Sequence, residues 1–388
     1  MKCLKKTVLI RMLAVWLSAG LCVLSVTGCD LGADISDTPA AASVDSVKGG
    51  RLEATQLFTR RDLTQTADTR QATHITVTDG QEISVTEAGI YVISGHASDA
   101  TVVIQAGSDD IVQLVLDNVS ITNRDTPCIY SKKAHKVFIT LTGDNRLFVN
   151  HRFAAGVSSH IDGAVYSKTD LTCNGTGSLA VNSSENGIVC KDDLRITGGT
   201  YTVTAAANAI RANDSVRIAG GSFTLTAGTD GIHAENNDDD TLGYLYIGGG
   251  RFTVQAGDDA LHATSVLQID RGELEITAGE GMEATDIQIN DGTLLLHARD
   301  DGINAAHKSK SYTPTVEING GSVTILMDSG DGDAIDSNGN IVINGGDIAI
   351  TAGSSFDYDG VARFSGGKIT VNGQQLSAIP SPSSGGSH

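Results

Sequence analysis

Basic residues are scarce in this chain. Lys and Arg number 27 of 388 residues against 46 Asp and Glu, so the formal net charge is −19. Nucleic acids are bound through basic surfaces, so this charge excludes a nucleic-acid-binding protein and favours cations, or ligands held through cations. Proline is also rare, with 5 residues, whereas glycine numbers 45. No strict Gly-X-Y period is present, which excludes collagen.

Aromatic residues make up only 4% of the chain, although a hydrophobic content of 40% still allows a buried core. After residue 28, no apolar run approaches the ~18 residues that would span a bilayer. The later cysteines, Cys29, Cys128, Cys173 and Cys190, have spacings that match neither a disulfide framework nor a zinc site. We expect Cys128 and Cys173 to be small buried thiols, with a disulfide or a catalytic cysteine as the alternatives.

The first 28 residues resemble an export signal. Four basic residues precede an apolar run over residues 12–26, and no acid is present. The run leads to Thr27-Gly28-Cys29, which is typical of a lipoprotein signal whose cysteine becomes diacylated. An ordinary secretion signal and a transmembrane anchor are the alternatives. We therefore predict an exported protein, lipid-anchored through Cys29 at the cell envelope or cell surface.

The rest of the chain divides by composition into three parts. Residues 29–56 are rich in small and polar residues and are predicted to be a flexible tether. Folded sequence is predicted over residues 57–375, where β-branched and polar residues alternate, as in residues 82–86 and 112–116. We find no helical period after residue 63. Residues 376–388 are predicted to be a disordered tail.

Internal repetition is the strongest pattern in the folded part. One element starts with an acid or Asn, followed by a small residue and an aliphatic residue. A second element is a glycine turn followed by alternating residues, as in residues 198–205, and a third is a short strand before that turn, as in residues 194–196. The first element starts at Asp162, Asn186, Asn208, Asp230, Asp259, Glu280, Asp301, Asp333 and Asp359.

Each unit of about 22 residues therefore contains three short strands and three turns, and one unit cannot bury its apolar face alone. The sequence predicts an all-β fold, a right-handed parallel β-helix with three short strands per unit. A β-propeller needs longer units, and a sandwich does not return its strands in one fixed order. Two inner columns are expected: Ile188, Ile210, Ile232, Leu261, Met282, Ile303 and Ile335 in one, and Tyr201, Phe223, Phe252, Leu274, Leu294, Val323 and Ile348 in the other.

Several motifs carry a family resemblance. They are Asp162-Gly163-Ala164-Val165-Tyr166-Ser167-Lys168, Lys191-Asp192-Asp193-Leu194, and the segments 231–240 and 330–339. Over residues 57–375 the chain resembles a bacterial family of secreted or lipid-anchored carbohydrate-binding β-helix proteins that are structurally akin to pectate lyases. The resemblance implies calcium binding and adhesion to plant-type polysaccharides such as cellulose or pectin, without established catalysis. Ala334 departs from the family's preferred glycine.

The repeated acids form a column in the predicted fold. Neighbouring strands lie about 4.8 Å apart, and two carboxylates at that distance repel by roughly 3 kcal/mol at a dielectric constant near 20. Raised pKa values, exposure to water or bound cations would relieve the repulsion. Calcium is the expected cation because it takes several oxygen ligands in irregular geometry. The predicted ligands are Asp230, Asp239, Asp258, Asp259, Glu280, Asp300, Asp301 and Asp333. The alternative is that these residues are only good turn formers.

Outward positions beside this column are candidates for ligand binding. His233 and His262 would be stacked neighbours, and we expect them to hydrogen-bond a sugar or water rather than to hold zinc or copper. Glu283 lies in the same row. Tyr244 and Tyr246 are predicted to be exposed aromatics that contact the ligand.

Three functions are compatible with these features. We predict a monomeric, lipid-anchored protein that binds an extracellular cellulose-like or pectin-like polysaccharide with Ca²⁺, resembles an adhesin and has no catalytic residue. The alternatives are a pectate-lyase-like enzyme and a passive envelope stalk. A lyase needs a base that takes a proton from the sugar, and the candidates, Arg211, Arg251, Arg299, Lys308 and Lys310, lie in no recognisable motif.

Overall fold

The computed structural model describes residues 50–151, 161–330 and 332–382, and within them the protein is almost entirely β-strand. Its helices there are two single turns, Ala54–Leu57 and Arg60–Leu63, and a 3-10 turn, Thr69–Gln71. None of these has the length and apolar character that a membrane-spanning helix needs. The predicted signal peptide, Cys29, and the predicted tether up to residue 49 lie outside the described residues.

The strands form three series, which we call the first, second and third ladders. In each ladder, a strand pairs with the corresponding strand of the next repeat, as the repeat pattern predicted. The first ladder consists of Glu82–Val85, Thr101–Gln105, Ile129–Lys133, Gly163–Ser167, Asn186–Cys190, Ile210–Ala212, Ile232–Ala234, Asp259–Ala263, Glu280–Ala284, Ile303–Ala305, Asp333–Ser337 and Ser354–Tyr358.

The other two ladders share one sheet. The second consists of Thr73–Thr76, Gly89–Ser98, Ile111–Asn123, Lys136–Thr142, Asp170–Gly175, Asp193–Ile196, Ser215–Ile218, Tyr244–Ile247, Val266–Ile269, Asp286–Ile289, Thr315–Ile318, Asn340–Ile343 and Ala362–Phe364. The third consists of Asp144–Val149, Ser178–Ser183, Thr200–Ala205, Ser222–Ala227, Arg251–Ala256, Glu273–Ala278, Thr293–Ala298, Ser322–Met327, Asp347–Thr351, Lys368–Val371 and Gln374–Leu376. Pairing is parallel except between the last two strands.

The predicted inner columns are confirmed. In the first ladder, the aliphatic column from Ile188 to Ile335 is paired in register and has no solvent exposure. In the third ladder, the ring of Phe223 stacks on those of Tyr201 and Phe252, with centroids 5.2 and 4.6 Å apart. These columns join into one continuous apolar core, whose burial is the main stabilising contribution.

Glycine turns set the start of each third-ladder strand. Gly221 has a φ of +128°, a conformation that side chains rarely adopt, and a Cβ there would lie 3.1 Å from the carbonyl oxygen of Gly199. Gly199 and Gly250 occupy the same place in neighbouring repeats, also with positive φ. Glycine therefore recurs at this place because the backbone adopts a positive φ there.

Residues 50–65, which we call the strap, lie across the second ladder. Arg51 forms ion pairs with Asp286 at 2.7 Å and with Glu317 at 2.6 Å. At the other end, Asp62 is fully buried and lies 2.6 Å from Lys136 Nζ. Residues 51–56, which the sequence grouped with the tether, are therefore packed against the sheet.

The three cysteines in the described residues, Cys128, Cys173 and Cys190, are free and buried, as predicted for the first two. Burial raises the pKa of Cys173 to about 12, which makes it a poor nucleophile. At the C-terminal end, Ile379 packs against the core and Tyr358 Oη donates to the carbonyl oxygen of Pro380 at 3.2 Å. The start of the predicted tail thus has fixed contacts, and residues 383–388 lie outside the described residues.

Candidate functional site

Asp and Asn side chains at the start of the first-ladder strands bond to the next repeat. Asn208 Oδ1 accepts the backbone N–H of Asp230 at 3.0 Å, and Asp230 Oδ1 accepts that of Asp259 at 3.2 Å. Asp301 Oδ1 accepts the N–H of Asp333 at 2.8 Å. Asp and Asn both supply the required acceptor oxygen. The column therefore links neighbouring repeats, beyond the local turn role considered from the sequence.

In this column Gly163, rather than Asp162, lies opposite Asn186, and Ser354, rather than Asp359, lies opposite Asp333. A row of polar residues lies three positions after the column. Successive members pair across neighbouring strands, so the row runs along the ladder. We call it the polar row, and its members are Arg211, His233, His262, Glu283, Asn304, Asp336 and Asp357. The row changes from basic at one end to acidic at the other.

The two histidines of the polar row are stacked, as predicted. Their ring centroids lie 4.6 Å apart with 11° between the ring planes. His233 Nδ1 is 2.6 Å from Asp230 Oδ2, and His262 Nδ1 is 2.6 Å from Asp259 Oδ2. Both side chains are largely buried, so these short contacts hold the rings in fixed positions.

His262 is the centre of a buried charge network. Burial opposes its charge, but hydrogen bonds to Asp259 and Glu283 outweigh burial and raise its pKa to about 10. Glu283 Oε2 lies 3.2 Å from His262 Nδ1 and 2.9 Å from Lys308 Nζ. Burial likewise opposes the charges of Glu283 and Lys308, yet their contacts lower the pKa of Glu283 and raise that of Lys308. Burial raises the pKa of Asp259 in spite of its hydrogen bond to His262. At neutral pH the network therefore carries an imidazolium at His262 and an ammonium at Lys308, with the carboxylate of Glu283 between them.

The raised pKa of Glu280 reduces the repulsion among the carboxylates of the column. Burial, together with the charges of Asp259 and Glu283, raises the pKa of Glu280 to about 8. Its Oε2 accepts a hydrogen bond from Asn304 Nδ2 at 3.3 Å. Protonation of Glu280 and the charge of His262 therefore reduce the repulsion expected from stacked carboxylates in this part of the column.

Two long loops form a cleft beside the network. The repeats starting at Asp230 and Asp301 are 29 and 32 residues long, and their extra residues follow the first-ladder strands. Ser311 Oγ donates to Asp240 Oδ1 at 2.7 Å, and the N–H of Lys310 donates to Asp240 Oδ2 at 3.0 Å. The joined loops enclose about 530 Å³, lined by residues 235–240, His262, Thr264, Lys308 and Lys310.

The predicted metal residues occupy several environments. Asp230 and Asp259 are buried against the histidines. Asp239 is exposed in the cleft loop, where it accepts a hydrogen bond from Thr241 Oγ1 at 2.6 Å. Asp258 and Asp300 are exposed immediately before the column. Not all of the predicted residues therefore belong to one site.

Asp333 belongs to a separate group of acids. One carboxylate oxygen from each of Asp333, Asp336 and Asp357 lies within 4.8 Å of the others. Asp336 is directly opposite Asp357 in the first ladder. The sequence indicated Asp333 and the outward position of Asp336, but it did not indicate Asp357 as their partner.

The expected exposure of Tyr246 is wrong. Tyr246 is fully buried beneath the strap, with its ring 6.1 Å from that of Phe58 and its hydroxyl donating to Asp270 Oδ2 at 2.8 Å. Tyr244 is half-buried with the Arg217 guanidinium 5.1 Å from its ring centroid. Both tyrosines belong to the second ladder, whereas the histidines belong to the first. Tyr246 is buried because the strap covers the side of the second ladder that its strand pattern alone indicates as outward-facing.

One feature of the first ladder was missed among the predicted site residues. Lys132, Lys168 and Lys191 stand in one column, beside Tyr130 and Tyr166. The signal was present in the repeat, because Tyr-Ser-Lys occurs twice at the same place and a third lysine follows in the next repeat.

Comparison with known proteins gives a family and a fold relative. The profile of a family described as carbohydrate-binding domain-containing proteins matches residues 79–287 and 280–379. A relative of the same description from Acetivibrio thermocellus is 36% identical over 127 residues, which are 31% of this chain and 44% of the relative. The chain thus spans less than half the length of that relative.

A solved structure described as the polysaccharide lyase-like protein from C. thermocellum, gadolinium derivative, is also similar. It has a TM-score of 0.54 and 32% sequence identity, and the match covers 57% of this chain and 99% of that chain. The similarity therefore extends over nearly all of the solved protein.

Proposed function

This chain belongs to the family of carbohydrate-binding domain-containing proteins, and we propose that it binds a polysaccharide in the cleft beside His262. The observation that carries the proposal is the convergence of residues 235–240, His262 and Lys308 on one surface cleft. Carboxylate, imidazolium and ammonium groups form strong, charge-assisted hydrogen bonds. Such groups suit the many hydroxyls of a sugar better than they suit an apolar ligand.

We further propose that the three ladders wind into a right-handed parallel β-helix. The support is the fixed order of strands, in which each repeat contributes one strand to each ladder over most of the chain. Crossover connections between parallel strands are right-handed in about 98% of cases. The first ladder then forms a long face along which an extended polymer can lie.

Calcium is the cation that we propose for Asp333, Asp336 and Asp357. Like charges directly opposite each other destabilise a strand pair, and calcium accepts several carboxylate oxygens. Asp259, His262 and Glu283 also lie close enough together to hold a metal ion. Calcium prefers oxygen ligands to nitrogen, so it suits the three aspartates better than a set that contains His262. The lyase-like relative was obtained as a gadolinium derivative, and gadolinium is also a hard cation.

We propose binding without cleavage. A lyase base must be neutral to accept a proton, but the contact with Glu283 raises the pKa of Lys308 in spite of its burial. Arg251 is on the third ladder, 2.5 Å from Glu273, and is not among the residues that line the cleft. A polysaccharide lyase is the second candidate, because the solved relative is described as lyase-like.

The proposed location is the outer side of the cell envelope, with Cys29 as the lipid attachment site. The support is the sequence of the first 29 residues, with a basic start, an apolar run and a small residue before cysteine. A protein tethered there would meet polysaccharides outside the cell.

Pull-down on insoluble cellulose and on pectate gel, with calcium or with chelator, tests the function. Asp238→Ala removes an exposed carboxylate from the cleft, and Lys308→Gln removes an ammonium group. Each should weaken binding at least about tenfold, since a hydrogen bond to a charged group contributes about 1.5–3 kcal/mol. Lys368→Gln, on the third ladder, is the matched control and should bind like the wild type.

Each outcome of this assay separates the candidates. Binding that survives both cleft substitutions would contradict the cleft as the site. Binding to neither polymer would favour a structural stalk. Release of unsaturated uronides from pectate, measured by their absorbance, would contradict binding without cleavage.

A further inference from the structure

A single row of second-ladder residues lies beneath the strap. Its members pair in register from each strand to the next, beginning at Phe138 and ending with Glu317, Val342 and Arg363. We call it the strap row. The strap contacts the members from Phe138 to Glu317, so Val342 and Arg363 lie beyond the contacts of the strap.

The strap follows this row in order. At one end, Asp62 Oδ1 accepts a hydrogen bond from Thr172 Oγ1 at 2.7 Å. At the other end, the N–H of Arg51 donates to Gln288 Oε1 at 3.1 Å, and its guanidinium group contacts Glu317 at 2.6 Å. The strap residues between them contact the intervening members of the row. Residues earlier in the strap thus lie further along the second ladder.

The strap advances along the row at a steady rate. From Thr172 to Glu317 the row crosses six strand spacings, about 29 Å, while the strap passes from Asp62 to Arg51. Each strand spacing therefore takes about two residues of the strap. Arg363 lies two spacings beyond Glu317, so about four more residues of the chain are enough to reach it.

A groove lies where the described part of the strap ends. It encloses about 340 Å³, and its lining includes Arg51, Glu317, Val342, Val361 and Arg363. The side chain of Val361 is 67% exposed, although the large aliphatic residues of this fold are mostly buried. No carboxylate of residues 50–151, 161–330 or 332–382 forms an ion pair with Arg363. The groove therefore suits a segment that carries both an apolar and an acidic side chain.

We propose that residues 44–49, with the sequence Val-Asp-Ser-Val-Lys-Gly, continue the strap and occupy this groove. These residues directly precede the strap, and the strap already points along the row towards the groove. Side chains alternate between the two faces of an extended chain. Asp45 and Val47 are therefore on the same face as Arg51, whose side chain contacts the sheet.

The side chains of the segment are complementary to the groove. Val47 covers Val342 and Val361, which removes apolar surface from water. Asp45 pairs with the guanidinium group of Arg363. The flexible tether then ends at residue 43, and the chain enters the folded part at the far end of the strap row. This packing of the chain on itself does not depend on carbohydrate binding.

Hydrogen exchange of residues 44–49 in the full chain tests the inference. Arg363→Glu reverses the charge in the groove, and Asp45→Arg/Arg363→Glu restores a pair of opposite charges. The matched control is Arg146→Glu, which makes the same change at an exposed position on the third ladder. Melting curves establish that all three variants are folded.

We expect exchange in residues 44–49 to be at least about threefold faster in Arg363→Glu than in the wild type, because repulsion replaces an exposed ion pair. The double variant should recover most of the wild-type protection. The control should exchange like the wild type. Recovery in the double variant would show that Asp45 and Arg363 meet, which a general change in stability does not explain.

Three results would overturn the inference. The first is exchange of residues 44–49 in the wild type at the rate of an unstructured peptide. The second is the same rate in Arg363→Glu as in the wild type or in the control. The third is protection of Asn340–Ile343 that increases with protein concentration while residues 44–49 stay unprotected, which would assign the groove to a second copy of the chain.

Discussion

The imidazole rings of His233 and His262 lie parallel, with centroids 4.6 Å apart, and each ring contacts the aspartate three residues earlier at 2.6 Å. The repeat spacing brings the rings together, and the two aspartates supply the negative charge that compensates a protonated ring. This pair divides the polar row into its basic and acidic ends. His262, but not His233, lines the cleft between the two loops.

We predict that His262 remains protonated at pH 8. Hydrogen bonds to Asp259 and Glu283 overcome burial and raise its pKa to about 10, against an ordinary value of 6.5. Because the folded pKa is the higher one, the stabilisation is full below pH 6.5 and is lost as the pH rises towards 10. NMR titration of the imidazole measures the pKa, and Glu283→Gln should lower it. A midpoint near 6.5 in the wild type would contradict the prediction.

Asp62→Asn should destabilise the protein by about 3–5 kcal/mol, because it leaves the ammonium of Lys136 buried without its counter-charge. Denaturant unfolding measures the change. Asp68→Asn is the matched control: Asp68 also pairs with a basic residue, Arg70, but both are exposed, so no measurable loss is expected. Equal stability of the wild type and Asp62→Asn would show that the strap is not anchored at this residue.

The same ion pair has a pH dependence of the opposite sign to that of His262. Burial opposes ionisation of Asp62, but Lys136 outweighs burial and lowers the pKa of Asp62 below its ordinary value of 3.8. The stabilisation is therefore present above that value and is lost as the pH falls through the lower, folded-state pKa. Acid unfolding of Asp62→Asn should lack this component.

Calcium should raise the melting temperature, and Asp357→Asn should reduce the rise. A ligand that binds only the folded state stabilises it by about 2.7 kcal/mol at a hundredfold excess over its dissociation constant. The control is Asp347→Asn, which removes an exposed carboxylate from the third ladder. Identical melting curves with calcium and with chelator would exclude a calcium site at Asp333, Asp336 and Asp357.

Local periodicity predicted much of the fold. The columns headed by Ile188 and Tyr201 follow directly from residues that recur at fixed positions, because each repeat must bury the same face against its neighbours. The stacking of His233 on His262 followed from the same register. These features depend only on which residues occupy equivalent positions.

Contacts between non-equivalent positions were not predictable. The strap covers Tyr246, and Asp62 forms an ion pair with Lys136 in another part of the chain. These contacts depend on individual side chains and leave no trace in the repeat pattern. Asp240 meets Ser311 because two unequal insertions happen to face each other, 71 residues apart in sequence. The position of the cleft thus depends on contacts between distant loops, whereas the position of His262 beside it follows from the repeat.

Cys29→Ala should leave the protein unprocessed or release it from the membrane, because the thiol that would carry the lipid is absent. Fractionation of cells followed by mass spectrometry of the N-terminus measures both outcomes. Ser25→Ala, four residues earlier, is a control that keeps the cysteine. A Cys29→Ala protein that is cleaved normally and bound to the membrane as tightly as the wild type would contradict lipid anchoring.

Hydrogen exchange of the full chain, with and without a neutral oligosaccharide at saturating concentration, tests the central claim most directly. Binding in the cleft should slow exchange in residues 235–240, Lys308 and Lys310, which line it. Exchange in Thr200–Ala205 and Ser222–Ala227 of the third ladder should not change. Protection confined to the third ladder, or no protection in either loop, would contradict carbohydrate binding beside His262.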